Sequence, residues 1–146
     1  MKVLITGGAG YLGTVLTEEI LNRFPYAKVI VYDNLMYKQD GLFSFFKYPK
    51  DRFEFVYGDV RDKNSLLEQL QKLDKNNDYV IPLAAIVGFP ACARDEKLAT
   101  AVNFEHVKYI VQSTKCRIIY PNTNSGYGVS DLSLIHISAP TRLTPI

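Results

Sequence analysis

The apolar residues of this chain gather in five short runs, each separated from the next by polar or periodic stretches. The runs are rich in β-branched and aromatic residues, which favours buried strands. They cover residues 2–6, 28–32, 53–57, 79–83 and 117–120. Strands that are apolar almost throughout are typical of a parallel sheet that is covered on both faces.

The stretches between the runs predict helices, because apolar residues recur there every three or four positions. Residues 65–73 show this spacing, and residues 98–113 show it with the stripe Val102, Val107, Ile110 and Val111. A further helix begins near Tyr11, and its stripe is Leu12, Val15, Leu16, Ile20 and Phe24. The aromatic-rich residues 40–49 predict a short packed helix, with the wall of a ligand site as the alternative. This alternation predicts an α/β fold with a doubly wound parallel sheet.

Composition narrows the class of protein. Of the 146 residues, 47% are hydrophobic and 12% aromatic, which argues against disorder, and the net charge of +2 gives no reason to expect a nucleic-acid partner. Cys92 and Cys116 stand far apart, so we expect reduced, packed thiols and a cytoplasmic location.

The carboxylates of residues 59 and 62 lack a third ligand, so no metal site is expected. The longest mostly apolar stretch, residues 79–93, is shorter than a membrane span.

A glycine motif follows the first predicted strand. Residues 8–13 read Gly-Ala-Gly-Tyr-Leu-Gly and satisfy the Gly-x-Gly-x-x-Gly pattern between a strand and a helix. Glycines let a pyrophosphate approach the backbone, and the helix start offers it free N–H groups. Asp33 ends the second strand twenty positions after Gly13, where a carboxylate binds a ribose and repels a 2′-phosphate. The pattern predicts NAD and not NADP, with a glycine turn beside an ordinary Asp as the alternative.

Five motifs in order resemble the extended short-chain dehydrogenase/reductase family, in its NAD-dependent nucleotide-sugar epimerase/dehydratase branch. They are residues 6–13 (Thr-Gly-Gly-Ala-Gly-Tyr-Leu-Gly), 32–35 (Tyr-Asp-Asn-Leu), 58–62 (Gly-Asp-Val-Arg-Asp), 83–85 (Leu-Ala-Ala) and 102–104 (Val-Asn-Phe). The family commonly has His where Pro82 stands in this chain. The resemblance covers about residues 1–130 and implies a Rossmann domain that binds NAD.

The resemblance also implies how the cofactor is held. Its pyrophosphate lies on the glycine loop, its ribose at the end of the second strand, its adenine after the third strand and its nicotinamide side after the fourth. One asparagine supports the site from the following helix. The residues assigned in this way are Gly7, Gly8, Gly10, Tyr11, Leu12, Gly13, Asp33, Asn34, Asp59, Val60, Leu83, Ala84, Ala85 and Asn103.

The segment after the fifth strand resembles the family's Ser-(Ser/Thr)-x-x-Val-Tyr-Gly motif. Residues 122–128 read Asn-Thr-Asn-Ser-Gly-Tyr-Gly, which places the catalytic hydroxyl on Thr123. Ser125 is the second candidate, and a Thr that only caps the turn is the alternative. His106 is expected at the surface or in packing and not in catalysis. The family's proton-transfer pair, Tyr-x-x-x-Lys, matches none of the ten tyrosines, so this chain alone is expected to be inactive.

The last fifteen residues differ in character from the rest. From Leu132 the sequence resembles the translation of a sequencing adapter. We therefore expect an incomplete NAD-binding domain over residues 1–131, with its sheet truncated after the fifth strand, and a non-native tail over residues 132–146. A divergent native C-terminus is the alternative.

For the intact parent, the resemblance implies an enzyme that oxidises a hydroxyl of a nucleotide sugar transiently with NAD. The keto intermediate is then reduced from its other face, or it loses water first. The resemblance also allows a homodimer, and no nucleic-acid or membrane partner is expected. Two alternatives stay open: an NAD-dependent sugar-nucleotide reductase or dehydrogenase, and an NAD-binding module without catalysis.

Overall fold

The computed structural model describes residues 1–122, which contain one parallel sheet of five strands. The strands are β1 (Lys2–Thr6), β2 (Lys28–Asp33), β3 (Phe53–Tyr57), β4 (Tyr79–Pro82) and β5 (Arg117–Ile118). Their order in the sheet is β3-β2-β1-β4-β5, and every neighbouring pair is parallel. The chain changes direction across the sheet between β1 and β4. Ligands of such sheets bind outside the carboxyl ends of the strands at this point.

The helices of the described residues lie between these strands. They are α1 (Tyr11–Arg23), α2 (Lys63–Gln71), α3 (Phe89–Arg94), α4 (Glu96–Thr100) and α5 (His106–Ser113), with a 3₁₀ helix at Gly41–Phe45 and a π turn at Ala101–Glu105. Helix α2 begins at Lys63 because the Asp62 carboxylate accepts hydrogen bonds from the N–H groups of Asn64 and Ser65. Within residues 1–122, no helix is long and apolar enough to cross a membrane.

Each face of the sheet has its own buried core. On one face, Ile20 and Leu21 of α1 and Phe45 of the 3₁₀ helix pack against the strands. On the other face, α2, the π turn and α5 supply Leu66, Leu70, Val102 and Ile110. Helices on both faces confirm the predicted doubly wound α/β fold. The 3₁₀ helix, with Leu42 and Phe45 buried, confirms the short packed helix expected within residues 40–49.

Helix α1 buries only part of the stripe that its apolar spacing predicts, since Leu16 and Ile20 pack against the core. Its buried residues are Gly13, Thr17, Ile20 and Leu21. Leu12, Val15 and Phe24 of the predicted stripe are about half exposed instead. The cause is a close approach of two backbones, because a Cβ added at Gly13 would lie 2.5 Å from the Gly8 Cα. The first half of the helix therefore faces the sheet through Gly13 and Thr17, and Ile20 and Leu21 pack against the sheet further along.

The helix predicted over residues 98–113 is interrupted by the π turn, which changes the face it buries. Val111 is exposed, and His106 is buried at 2% exposure. The His106 Nδ1 lies 2.9 Å from the Val102 carbonyl oxygen, and its Nε2 lies 3.0 Å from the Thr6 Oγ1. A carbonyl only accepts, so Nδ1 carries the proton, and burial lowers the pKa of the ring. His106 packs as a neutral residue, as expected.

Strands β4 and β5 end earlier than their apolar runs predict. The Leu83 N–H donates to the Thr6 carbonyl of β1 at 2.8 Å. Because successive N–H groups of a strand point to opposite sides, position 82 faces β5. Proline has no N–H to donate there, and the paired residues of β4 and β5 end at Val80 and Ile118. Pro82 is thus accommodated at a strand end.

Candidate functional site

A cleft of about 630 Å³ opens at the carboxyl ends of the central strands. Its walls are the glycine turn after β1, the ends of β2 and β3, the segment after β4, and the π turn. Thirteen of the fourteen predicted cofactor residues line it: Gly7, Gly10, Tyr11, Leu12, Gly13, Asp33, Asn34, Asp59, Val60, Leu83, Ala84, Ala85 and Asn103. Residues that are distant in sequence thus meet around one space.

The glycine turn depends on the absence of side chains. Gly7 has a φ of 71°, which favours glycine, and a Cβ there would lie 2.4 Å from the Ala84 N. Gly8 is the predicted residue that does not line the cleft. It packs against β2, because a Cβ at Gly8 would lie 2.9 Å from both methyl groups of Val31. The turn therefore brings the ends of β1, β2 and β4 close together.

Helix α1 points its N-terminus into the cleft. Its N-cap is Gly10, which supplies no capping side chain. The first N–H groups of an α-helix find no partner within the helix. Here they belong to Tyr11, Leu12 and Gly13, which all line the cleft. Unpaired N–H groups and the helix dipole together favour an anion such as a pyrophosphate.

Asp33 links the glycine turn to the segment after β2. Its Oδ2 accepts a hydrogen bond from the Ala9 N–H at 3.0 Å. Its Oδ1 accepts one from the Leu35 N–H at 2.7 Å. A carboxylate has about four acceptor positions. Asp33 is therefore fixed in place with acceptor capacity left for hydroxyl groups of a ligand.

Asp59 is held by its neighbours on all its acceptor positions. Oδ1 accepts from the Arg61 N–H and Nε, both at 2.9 Å, and Oδ2 accepts from the Arg61 Nη2 at 2.7 Å. The Asn34 amide also donates to Oδ2, at 3.1 Å. Hydrogen bonding to Arg61 is the largest cause that lowers the pKa of Asp59, to about 2. A base that donates to this carboxylate must share it with Arg61 or Asn34.

Asn103 clamps the segment that follows β4. Its Oδ1 accepts from the Ile86 N–H at 2.8 Å, and its Nδ2 donates to the Ile86 carbonyl at 3.0 Å. The Cys92 thiol lies 3.3 Å from the same carbonyl oxygen, in a packing position. The π turn aims Asn103 at this backbone, as is common for π turns at functional sites.

Sequence reasoning missed several residues that line the cleft. Met36, Tyr37 and Gln39 follow β2, in a segment that folds back through left-handed backbone at Leu35 (φ 53°) and Lys38 (φ 51°). The short segment directly after a strand's carboxyl end was the signal for this group. Further missed residues are Tyr32, Gly58, Ile86, Val87, Val102, Val107, Tyr120 and Pro121. Tyr32, Gly58 and Val102 stand inside the quoted motifs but received no role there, and the spacing of the other five gave no signal.

The predicted catalytic Thr123, its alternative Ser125 and the tail over residues 132–146 lie outside the described residues. The last described residues lead toward the cleft, since Tyr120 and Pro121 line it. In residues 1–122, no group of three or more His, Cys, Asp or Glu side chains is placed to hold a metal ion.

Sequence comparison finds relatives with this part of the fold. The model of the NAD dependent epimerase/dehydratase family matches residues 3–144. CDP-paratose 2-epimerase of Salmonella typhi is 31% identical over 133 residues, covering 88% of this chain and 38% of the relative. The dTDP-D-glucose 4,6-dehydratase of Dictyostelium discoideum is 32% identical over 133 residues, covering 87% and 30%. The chain thus spans less than two fifths of the length of these relatives.

Solved structures agree with the sequence comparison. DesIV, a dTDP-glucose 4,6-dehydratase from Streptomyces venezuelae crystallised with NAD, superposes with a TM-score of 0.77 at 26% identity, over 91% of this chain and 42% of that chain. The UDP-glucose 4-epimerase of Thermus thermophilus, in complex with NAD, gives a TM-score of 0.61 at 27% identity, over 77% and 33%. These matches confirm the family that the motifs resemble. This chain belongs to the NAD-dependent epimerase/dehydratase family.

Proposed function

We propose that this chain binds NAD in the cleft and forms the cofactor-binding part of a nucleotide-sugar epimerase or dehydratase. The observation that supports the proposal most strongly is the position of Asp33. It lies beside the glycine turn, where the chain changes direction across the sheet between β1 and β4. Its carboxylate accepts from the Ala9 N–H, so the ribose-binding and phosphate-binding groups form one rigid unit. The relatives' names support a nucleotide sugar as the substrate of the whole enzyme.

The residues of the cleft fit a dinucleotide. Gly10 leaves space at the helix start, because the nearest atoms to a Cβ there would be the Gly7 O at 3.2 Å and the Gln39 Oε1 at 3.8 Å. A side chain at this position would point into the space that a pyrophosphate needs. Asp33 offers acceptors to the ribose and disfavours the 2′-phosphate of NADP by charge repulsion. The cavity volume also suits a ligand of this size.

Each part of the chain then has a separate task. Tyr11 to Gly13 donate backbone N–H groups to the pyrophosphate, and Asp33 and Asn34 orient the ribose. Asp59 and Val60 meet the adenine, while residues 83–85, held by the Asn103 clamp on Ile86, line the nicotinamide side. When bound, NAD accepts a hydride from the sugar carbon. Thr123 would hold the substrate hydroxyl, as its motif implies.

One sequence observation favours a second candidate for the chain by itself. None of its ten tyrosines is followed four positions later by a lysine. A Tyr-Lys pair at this spacing lies on one helix face, where the lysine cation lowers the pKa of the tyrosine base. The 146 residues alone would then bind NAD without turnover. An assay with nucleotide sugars that detects epimerised or dehydrated product would contradict this second candidate.

Two further features of the parent stay predictions. A cytoplasmic location is supported by Cys92 and Cys116, which are both free thiols. A homodimer is implied only by the resemblance to the family.

The test compares Asp33→Asn with the parent chain in titrations of NAD and NADP. The amide keeps the shape of the carboxylate but removes its charge, so NAD should bind roughly tenfold more weakly and the preference over NADP should shrink. Asp74→Asn is the matched control, because Asp74 also accepts backbone N–H groups, in a turn before β4. Equal NAD and NADP affinities in the parent, or no change in Asp33→Asn, would contradict the proposal.

A further inference from the structure

Tyr32 is a buried aromatic residue beneath the base side of the cleft. It is the second-last residue of β2 and is 0% exposed, yet it forms part of the cleft wall. Its hydroxyl donates to the Asp59 carbonyl at 3.0 Å and lies 3.0 Å from the Ser65 Oγ. A hydroxyl donates one hydrogen bond and accepts up to two, so it satisfies both contacts at once.

The turn between β3 and α2 rests on this ring. A Cβ added at Gly58 would lie 2.4 Å from the Tyr32 Cε2, Cζ and Oη atoms. The Gly58 N–H also donates to the Asp33 carbonyl at 3.1 Å. Because no side chain fits between the ring and the turn, the ring determines the distance between the turn and the sheet.

Both ends of the turn are thereby fixed by one side chain. At its start, Gly58 and the Asp59 carbonyl touch Tyr32. At its end, Ser65 belongs to the first turn of α2, which the Asp62 carboxylate caps. Burial raises the pKa of the Tyr32 hydroxyl, which keeps it protonated and able to donate. Arg61 and Asn34 hold the outer face of the same turn through the Asp59 carboxylate.

We infer that Tyr32 is a positioning residue for the adenine of the cofactor, acting through the height and orientation of the Asp59–Val60 turn. The inference rests on the proposed NAD site and deepens it. Adenine presents an amino group that can donate a hydrogen bond to the Asp59 carboxylate, which it shares with Arg61 or Asn34, whereas hypoxanthine presents an oxygen that a carboxylate repels. A well-placed turn therefore discriminates between the two bases, and a loosened turn discriminates less.

The test measures base discrimination in the full chain. NAD and an NAD analogue with hypoxanthine in place of adenine are titrated into the parent and into Tyr32→Phe, which keeps the ring and removes the hydroxyl. NAD should bind roughly three- to tenfold more weakly, because the loosened turn weakens the hydrogen bond between the adenine amino group and the Asp59 carboxylate. The analogue should change by less than about twofold, so that the ratio of the two dissociation constants falls.

Tyr79→Phe is the matched control. This variant also loses a hydroxyl contact, with Arg117 Nη1 at 2.9 Å, but Tyr79 lies at the amino-terminal end of β4, away from the cleft. Its ratio of dissociation constants should equal that of the parent. Ser65→Ala, which removes one of the two partners and leaves the ring in place, should shift the ratio in the same direction as Tyr32→Phe but less.

The outcomes separate this inference from the proposed function. If the parent does not bind NAD, both are contradicted. If the parent binds NAD and Tyr32→Phe weakens both ligands equally, Tyr32 has only a structural role and the inference alone is overturned. If Tyr32→Phe changes neither the NAD affinity nor the ratio, the inference alone is likewise overturned. Should Tyr32→Phe fail to fold in circular dichroism, the ratio measured for Ser65→Ala decides, and an unchanged ratio there overturns the inference.

Discussion

The two halves of the cleft are built in different ways. The phosphate side, residues 7–13, offers mainly backbone, and at Gly7 and Gly13 neighbouring backbone lies too close for any side chain. The base side consists of Tyr32, Asp33, Asn34, Asp59 and Arg61, whose polar groups come from the ends of two strands, β2 and β3, and the residues directly after them. Hydrogen-bonded partners on the base side lie between 2 and 33 residues apart in the sequence. The first half depends on shape, and the second depends on hydrogen bonds that can be removed one at a time.

This difference predicts the largest effect for Gly13→Ala. The new Cβ would lie 2.5 Å from the Gly8 Cα and from its carbonyl oxygen, and backbone cannot move aside as a side chain can. We expect a loss of about 3 kcal/mol or more in the free energy of unfolding, at the upper end of overpacking effects. Urea unfolding followed by circular dichroism measures it.

Gly10→Ala is the contrasting variant on the same turn. Its Cβ would meet only the Gly7 O at 3.2 Å and the Gln39 Oε1 at 3.8 Å. Stability should change by less than about 1 kcal/mol, while NAD affinity falls because the methyl group enters the cleft. Equal loss of stability in both variants would show that the phosphate side is not built as described.

Gly58→Ala tests the point where shape matters on the base side. The added Cβ would overlap the Tyr32 ring at 2.4 Å, so the single variant should lose about 2 kcal/mol in the free energy of unfolding. In a Tyr32→Val background the overlap is gone, and the same substitution should cost much less. Urea unfolding of the four proteins gives the coupling, which we expect to exceed about 1 kcal/mol. Additive effects would contradict the contact.

Arg61→Ala should have the smallest effect, and a pH-dependent one. The folded pKa of Asp59, about 2, lies below its ordinary value of 3.8, so the pair stabilises the fold above about pH 4 and loses its effect as the pH falls toward 2. Because Arg61 is half exposed, with 49% of its side chain accessible, the loss at pH 7 should stay below about 1 kcal/mol.

Urea unfolding at pH 7 and pH 3 checks this prediction. The difference between the parent and Arg61→Ala should shrink at the lower pH. Arg23→Ala is the matched control, because Arg23 pairs with Glu19 on the exposed face of α1, outside the cleft. A difference in stability that is equal at both pH values would contradict the pairing with Asp59.

The same contrast explains what the sequence could predict. The strands, the glycine turn and Asp33 follow from local patterns, since apolar runs and Gly-x-Gly-x-x-Gly act over a few residues. The α1 stripe was right for Leu16 and Ile20, which pack against the core. It was wrong for its exposed members because Gly13 lets two backbones approach, and apolar periodicity gives no sign of that approach. Val111 was misplaced because a π turn adds a residue to the helical count. Tyr32 was missed because its contacts with Asp59 and Ser65 span 27 and 33 positions.

The central claim is that NAD binds in the cleft at the carboxyl ends of the central strands. Amide chemical shifts of the isotope-labelled chain, recorded by NMR during a titration with NAD, test it most directly. We expect saturable changes that are largest at residues 10–13 and that extend to residues 33–35, 59–60 and 84–86. Binding without saturation, or changes concentrated on the helix faces away from these strand ends, would contradict the claim.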